Sequence, residues 1–336
     1  MRNPDFRNLE AVLECKEPAR PTLFEFFIEN TISEKLAGMP AKSGWDCAWN
    51  YELLIPAMQH AGYDYITMHG SEFCFPVDRP QAQSASMNTG ILSNRKDLQN
   101  YPFIDPDKCD YSRLAGAEKH LPKGMKIIAF GAGGILENAI SLVGYENLCY
   151  AVYEDPDFVE TLFKEIGERF VAYYDRCLAF DSVAAIVSND DWGFNTATML
   201  SPEHMRKYVF PWHKKIVEHA HSQGKKAILH SCGNLDLVWD DIINDMKFDG
   251  KHSYEDKICP VEEMYPRLQG KIAVLGGIDL DFVCRKTPQE IYERCKNMVD
   301  GAKTGYALGT GNSIPNYVPP ENFAAMLRAA NTDFHW

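Results

Sequence analysis

Eight short apolar runs separated by longer amphipathic segments predict an α/β protein, a single-domain (β/α)8 TIM barrel. The runs at 22–27, 63–68, 126–130, 184–188, 225–229, 248–252, 271–275 and 306–308 have strand length and the unbroken hydrophobicity of a parallel sheet covered on both faces. The segments between them carry helix-start signals, and strand followed by helix about eight times closes a barrel through right-handed crossovers. No GxGxxG follows an early run, and Gly131-Ala132-Gly133-Gly134 lacks that spacing, which disfavours an open doubly wound sheet.

Residues 1–20 form an N-terminal extension, and 21–336 form the barrel domain. The second run leads into a long polar stretch, 78–106, containing Pro80-Gln81-Ala82-Gln83-Ser84-Ala85-Ser86. It has no periodicity, and the strand–helix alternation resumes after it, so it fits an inserted loop or lid better than a linker. Asp155-Pro156 pairs a cap residue with proline at the first helical position, and apolar residues then recur at helical spacing from Phe158 to Tyr173. Ser201-Pro202-Glu203 opens a helix toward His221 that stops near Gly224, and Thr287-Pro288 opens one that passes Ile291 and Cys295.

With 336 residues, 45% of them hydrophobic, the chain buries a sizeable core. A net charge of −13 opposes binding to the phosphate backbone of a nucleic acid and leaves small molecules and proteins as partners. No stretch reaches the ~20 apolar residues of a membrane span. The N-terminus is charged and lacks an apolar signal core. Ten scattered cysteines without a CxxC pair read as reduced thiols, which points to the cytoplasm.

Barrel chemistry gathers at the C-terminal ends of strands. The fifth run ends in His230-Ser231-Cys232-Gly233-Asn234. On an extended backbone His230 and Cys232 point to the same side, and imidazole nitrogen with thiolate sulfur suits Zn²⁺ at ~2.0–2.3 Å. The alternative is a buried thiol beside a structural histidine. After the fourth run comes Asn189-Asp190-Asp191-Trp192-Gly193, where Asp191 either serves as base or ligand or caps a turn, and Trp192 offers a flat apolar wall to a ligand. His252 ends the sixth run as an acid/base, a further ligand, or the partner of Glu255 or Asp256. Gly276-Gly277-Ile278-Asp279 lets backbone approach a ligand, and Gly309-Thr310-Gly311-Asn312 either cradles an anion or only turns. Glu25 in the apolar first run is costly to bury unless paired or bound to a cation, which makes it a candidate acid or hard ligand. Otherwise it stands on a solvated edge.

The ordered motifs Asp191-Trp192-Gly193, Leu200-Ser201-Pro202-Glu203, Phe210-Pro211, Leu229-His230-Ser231-Cys232-Gly233-Asn234, Gly276-Gly277-Ile278-Asp279 and Pro319-Pro320-Glu321-Asn322 resemble the uroporphyrinogen decarboxylase superfamily. The resemblance implies a (β/α)8 barrel and, in the decarboxylase branch, a homodimer. That branch grips substrate carboxylates with arginines on the first strand and sets an aspartate after the second. Here the first run offers Glu25 and Glu29 with no arginine, and the second reads His69-Gly70-Ser71-Glu72. The resemblance is therefore closer to the methyltransferases that serve corrinoid proteins, whose thiol-activating members hold zinc by His-x-Cys and a later cysteine. His230 and Cys232 match the first part, while Asn312 occupies the position of the second cysteine, leaving Glu25, Asp191, His252 or water to complete the site.

The leading expectation is thus a methyltransferase acting between a small methyl ether or thiol and a corrinoid carried on a separate protein. Metal would sit on His230 and Cys232, catalytic groups would be Glu25, Asp191 and His252, and substrate contacts would come from Trp192, Asn234, Asp279 and Asn312. The alternatives are a carboxy-lyase acting on another carboxylated substrate, and a non-catalytic binding protein.

Overall fold

Seven of the eight apolar runs form one parallel sheet in a computed structural model, which describes residues 2–41, 50–77 and 90–336. The strands are β1 (Tyr65–His69), β2 (Lys126–Phe130), β3 (Val183–Asn189), β4 (Lys226–His230), β5 (Gly250–His252), β6 (Ala273–Leu275) and β7 (Tyr306–Ala307), hydrogen-bonded in chain order. Every pair is parallel, so each connection is a crossover packed on the curled sheet.

The run at 22–27 does not become the expected first strand of a regular eight-stranded barrel. Its strand-type pairing is a bridge between Leu23 and Leu308, with Phe24 N–H donating to Leu308 O and Leu308 N–H to Thr22 O. On its other side, side-chain hydroxyls replace a ladder. Tyr65 Oη accepts from Glu25 N–H and donates to Glu25 O, both at 2.8 Å, and Thr67 Oγ1 donates to Phe26 O at 2.5 Å. The segment therefore touches both edges of the sheet, satisfying its backbone groups without strand geometry.

Helix Pro156–Leu178 buries Phe158, Leu162, Ile166, Phe170 and Tyr173 and is capped by Asp155, which accepts from Phe158 N–H. Its Tyr173 and Tyr174 hydroxyls donate to Phe130 O and Val187 O at 2.6 and 2.8 Å, clamping the helix to β2 and β3. The expected helix from Pro202 to His221 is interrupted by a wide turn at Met205–Val209, where Phe210 N–H bonds Met205 O five residues back. Pro211 follows and has no N–H with which to continue the ordinary ladder. Thr287 opens Pro288–Gly301 with a reciprocal capping box to Glu290.

Helix Arg7–Leu13 buries Leu9, Val12 and Leu13 in the common core, and Leu13 abuts Gly250 at the start of β5. Of the expected insertion at 78–106, residues 78–89 lie outside the described residues. The remainder bonds Ile91 and Leu92 N–H to Leu142 O and forms helix Arg95–Asn100, capped by Asn94.

Gly309 passes so close to the 22–27 segment that a Cβ would lie 1.6 Å from Phe24 O, whereas one at Gly301 meets nothing within 4 Å. Gly309→Ala is expected to lower unfolding stability by about 3 kcal/mol in urea titrations. Gly301→Ala should be neutral or up to ~1 kcal/mol stabilising. Equal effects would contradict this close approach.

Candidate metal centre

The ends of β3, β4 and β5 lie in register, Asn189 opposite His230 and His230 opposite His252. Asp191 and Cys232 each stand two residues beyond a paired position, so they meet side by side, and Asp191 Oδ1 accepts Cys232 N–H at 2.8 Å. His230 Nε2 is 3.9 Å from the same oxygen. Among the described residues, Asp191, His230 and Cys232 form a group that can hold a metal ion, with ligand atoms within 4.8 Å of one another. Gly233 turns the chain directly after Cys232 with φ of +90°, and a Cβ there would lie 2.2 Å from Gly193 C.

Burial and the adjacent Asp191 carboxylate push the Cys232 thiol up to about 12. Three donors, two of them acidic, thus converge where a bound cation would offset the burial of the thiolate, and carboxylate, imidazole and sulfur are ligand types that zinc accepts. Ser253 Oγ lies 3.4 Å from the sulfur, and the Asn312 amide donates to it at 3.7 Å. Behind it, buried Lys251 donates to Ser253 O and lies 4.3 Å from the Tyr254 ring centroid, adding positive charge that favours thiolate.

A buried row of side chains fixes the proton on His230. Thr310 O only accepts, so His252 Nε2, 3.2 Å away, donates to it. Burial drives both imidazoles toward the neutral form, His230 down to about 4 and His252 well below its ordinary value. A neutral His252 protonated on Nε2 accepts on Nδ1, so His230 Nδ1–H donates across their 2.7 Å contact. The His230 Nε2 lone pair is left facing Asp191. This tautomer follows from the hydrogen-bond network, and it is the one a metal ligand requires.

The structure divides the paired aspartates. Asp190 is fully buried and accepts from Leu136 N–H, Glu137 N–H, Trp192 Nε1–H and His213 Nε2, which anchors the loop. Asp191 is the one that reaches the site. Trp192 is corrected from ligand wall to core: it is 0% exposed, with its ring 5.0 Å from Phe210 and 4.9 Å from His213. Asp279 is likewise a helix cap, its carboxylate taken by Asp281, Phe282 and Asp256 N–H groups. Asn234 uses its side-chain oxygen on Asp236 N–H, while Asn312 stands beside Cys232. Glu25 and His252 are both fully buried behind the triad. Glu25 accepts from Thr310 N–H and bonds the Thr310 hydroxyl, each at 2.7 Å, and burial raises it to about 8.

Sequence reasoning passed over Glu137 and Thr310. Glu137 Oε2 accepts Gly134 N–H, and burial with the Asp190 and Asp191 charges raises its pKa. It lines a cavity of about 400 Å³ with Ile140, Tyr145, Asp191, Phe194 and Met199. The glycines at Gly131, Gly133 and Gly134 were the available signal, because they open the helix that presents it.

A curled parallel sheet with polar side chains gathered beyond its strand ends defines the class as α/β. A family model described as Uroporphyrinogen decarboxylase (URO-D) matches residues 63–332, and the chain belongs to this family. No curated protein matches the sequence. The chain is similar in fold to a methyltransferase from Methanosarcina mazei, at 16% identity with a TM-score of 0.70, covering 98% of both chains. A broad-specificity endoglucanase from Bacteroides salanitronis matches at 10% identity with a TM-score of 0.49, over 96% of this chain and 94% of that one. No helix among the described residues is long and apolar enough to cross a membrane.

Glu25 supplies a pH test. Between about pH 4.5 and 8 the folded chain keeps a proton that the unfolded chain releases, so stability falls as pH rises through that window. Glu25→Gln should match the wild type near pH 4.5 and exceed it at pH 8 by on the order of 2–4 kcal/mol in chemical denaturation. Parallel stability–pH curves would contradict the burial of an uncharged carboxyl.

Proposed function

We propose that the chain is a metal-assisted methyltransferase. Its methyl group would pass between a small methyl ether or thiol and a corrinoid carried on a separate protein. The observation that carries this reading is the convergence of His230 Nε2, Cys232 Sγ and an Asp191 oxygen within 4.8 Å. Asp191 thereby takes the place left by Asn312, where the resembling zinc enzymes have a second cysteine. The likeness in fold to the Methanosarcina mazei methyltransferase supports the same branch.

Asp191, His230 and Cys232 would hold the Zn²⁺, which would supply Lewis-acid chemistry toward a thiol or methyl-ether oxygen. The protein's own groups do the rest. Tyr145, Phe194, Ile140 and Met199 give the neighbouring cavity apolar walls for a small organic group. Glu137, held protonated toward neutral pH, hands its proton to the departing oxygen, because an alkoxide or phenoxide is a poor leaving group without one. The Asn312 amide and Lys251 offset charge on the Cys232 sulfur.

Protein purified without chelator is expected to hold one zinc per chain by mass spectrometry. Cys232→Ser and His230→Ala should each weaken zinc binding by more than the ~10–100-fold that loss of a ligand's hydrogen-bonding partner brings. Chelation should abolish methyl transfer to a corrinoid acceptor. Metal-free wild type that releases carbon dioxide from a carboxylated aromatic would select the decarboxylase reading instead.

A further inference from the structure

We propose that the cavity beside Asp191 selects its ligand by charge, taking a methyl aryl ether that carries no acidic group and turning away carboxylated or sulfonated compounds. This rests on the methyltransferase reading for the fate of the bound ether, while the selection stands on the cavity walls. The cavity, about 400 Å³, is of a size that encloses small organic molecules. Its charged side chains are Glu137 and Asp191, and among the described residues its lining holds no lysine, arginine or histidine. Lys251, buried beyond Cys232, is turned elsewhere. It donates to Ser253 O, lies 4.3 Å from the Tyr254 ring centroid, and lines a separate chamber with Gly233 and Trp239. A divalent metal on the triad would itself be balanced by Asp191 and the Cys232 thiolate, adding no net positive charge. A carboxylate or sulfonate entering here would give up its hydration and meet the Asp191 carboxylate with no cation to offset it. An uncharged ether meets neither penalty.

Two aromatic rings shape the apolar part of the cavity. Tyr145 and Phe194 stand edge to face, with centroids 5.7 Å apart and planes at 83°. They form a corner in which a third ring can stack on one and set its edge against the other. The Tyr145 hydroxyl is already engaged, donating to Met199 O at 2.8 Å, so this residue offers the ligand its ring. Phe194 is 41% exposed, which opens the corner to solvent at that edge. Asp191 belongs to both the lining and the triad, so the cavity joins the metal position directly. A small alkyl thiol would leave the aromatic corner unfilled, which favours the aryl ether among the substrates of the proposed reaction.

Isothermal titration of the full chain, freed of metal by chelation so that no ion can hold a carboxylate, tests the selection. The probes are guaiacol, an uncharged methoxyphenol, and vanillate, the same ring bearing a carboxylate. Guaiacol should bind, and vanillate should bind at least about a hundredfold more weakly, the effect of one like charge a few ångströms away in a partly buried site. Phe194→Ala should weaken guaiacol about five- to tenfold. Met199 suits a charge reversal, because its N–H donates to Trp192 O at 2.6 Å and its carbonyl accepts from Tyr145, which pins the backbone whatever side chain it carries. Met199→Lys should tighten vanillate about tenfold or more. Wild-type protein that binds vanillate as well as guaiacol, or binds no guaiacol, would overturn the selection. Guaiacol bound with the expected preference, but never demethylated by metal-loaded enzyme with a reduced corrinoid protein, would overturn the methyltransferase reading and leave the selection standing.

Discussion

Two buried neutral imidazoles sharing one hydrogen bond, His230 to His252 at 2.7 Å, are the constraint around which the site is organised. Both rings are buried, so neither gains much by charging, and a single proton lies in the contact between them. A pair of this kind is directional only if something at its far end fixes the direction. The carbonyl of Thr310 does so, held in turn by Gly277 N–H, while the Glu25 carboxyl takes the Thr310 N–H and hydroxyl. The irregular path of 22–27 is the structural counterpart of this arrangement. By giving up a regular ladder to β1, the segment delivers Glu25 to the loop after β7, where a carboxyl meets a threonine 285 positions away.

The same logic separates the two aspartates after β3. Asp190 collects donors from one indole, one imidazole and two helix N-terminal amides, so its burial leaves no lone pair wanting. Asp191 keeps one oxygen on Cys232 N–H and stays within reach of the imidazole. A rigid carboxylate anchors the loop, and its neighbour is thereby presented to the thiol. Asn312 completes the surroundings by donating an amide hydrogen to the sulfur, a weaker contact than a second thiolate would make to a cation. The resulting donor set carries one sulfur where the resembling zinc enzymes carry two, which makes it harder and more oxygen-rich.

Much of this was legible in the sequence where the signal is local. Strand-length apolar runs placed β1 to β7, and Asp155-Pro156 and Thr287-Pro288 placed two helix starts, because period and capping act over a few residues. His230 and Cys232 were legible for the same reason. The irregular course of the first run, 22–27, was not, since Tyr65 and Thr67 hydroxyls compete for its backbone from another element. Glu25 was recognised as a costly carboxylate, but its partner Thr310 lies at the opposite end of the chain. Trp192 and Asp279 read as ligand contacts from their company of polar residues and glycines. Their true partners, Asp190 and the 281–282 amides, are next to them in sequence, and capping chemistry was the better guide there.

The proposed centre is mononuclear with one sulfur ligand, an aspartate standing where a second cysteine is expected. X-ray absorption at the zinc edge of the loaded wild-type protein tests it most directly. The arrangement of Asp191, His230 and Cys232 predicts one sulfur scatterer at ~2.3 Å and a nitrogen/oxygen shell at ~2.0–2.2 Å. A shell with two sulfurs, or with none, would contradict it.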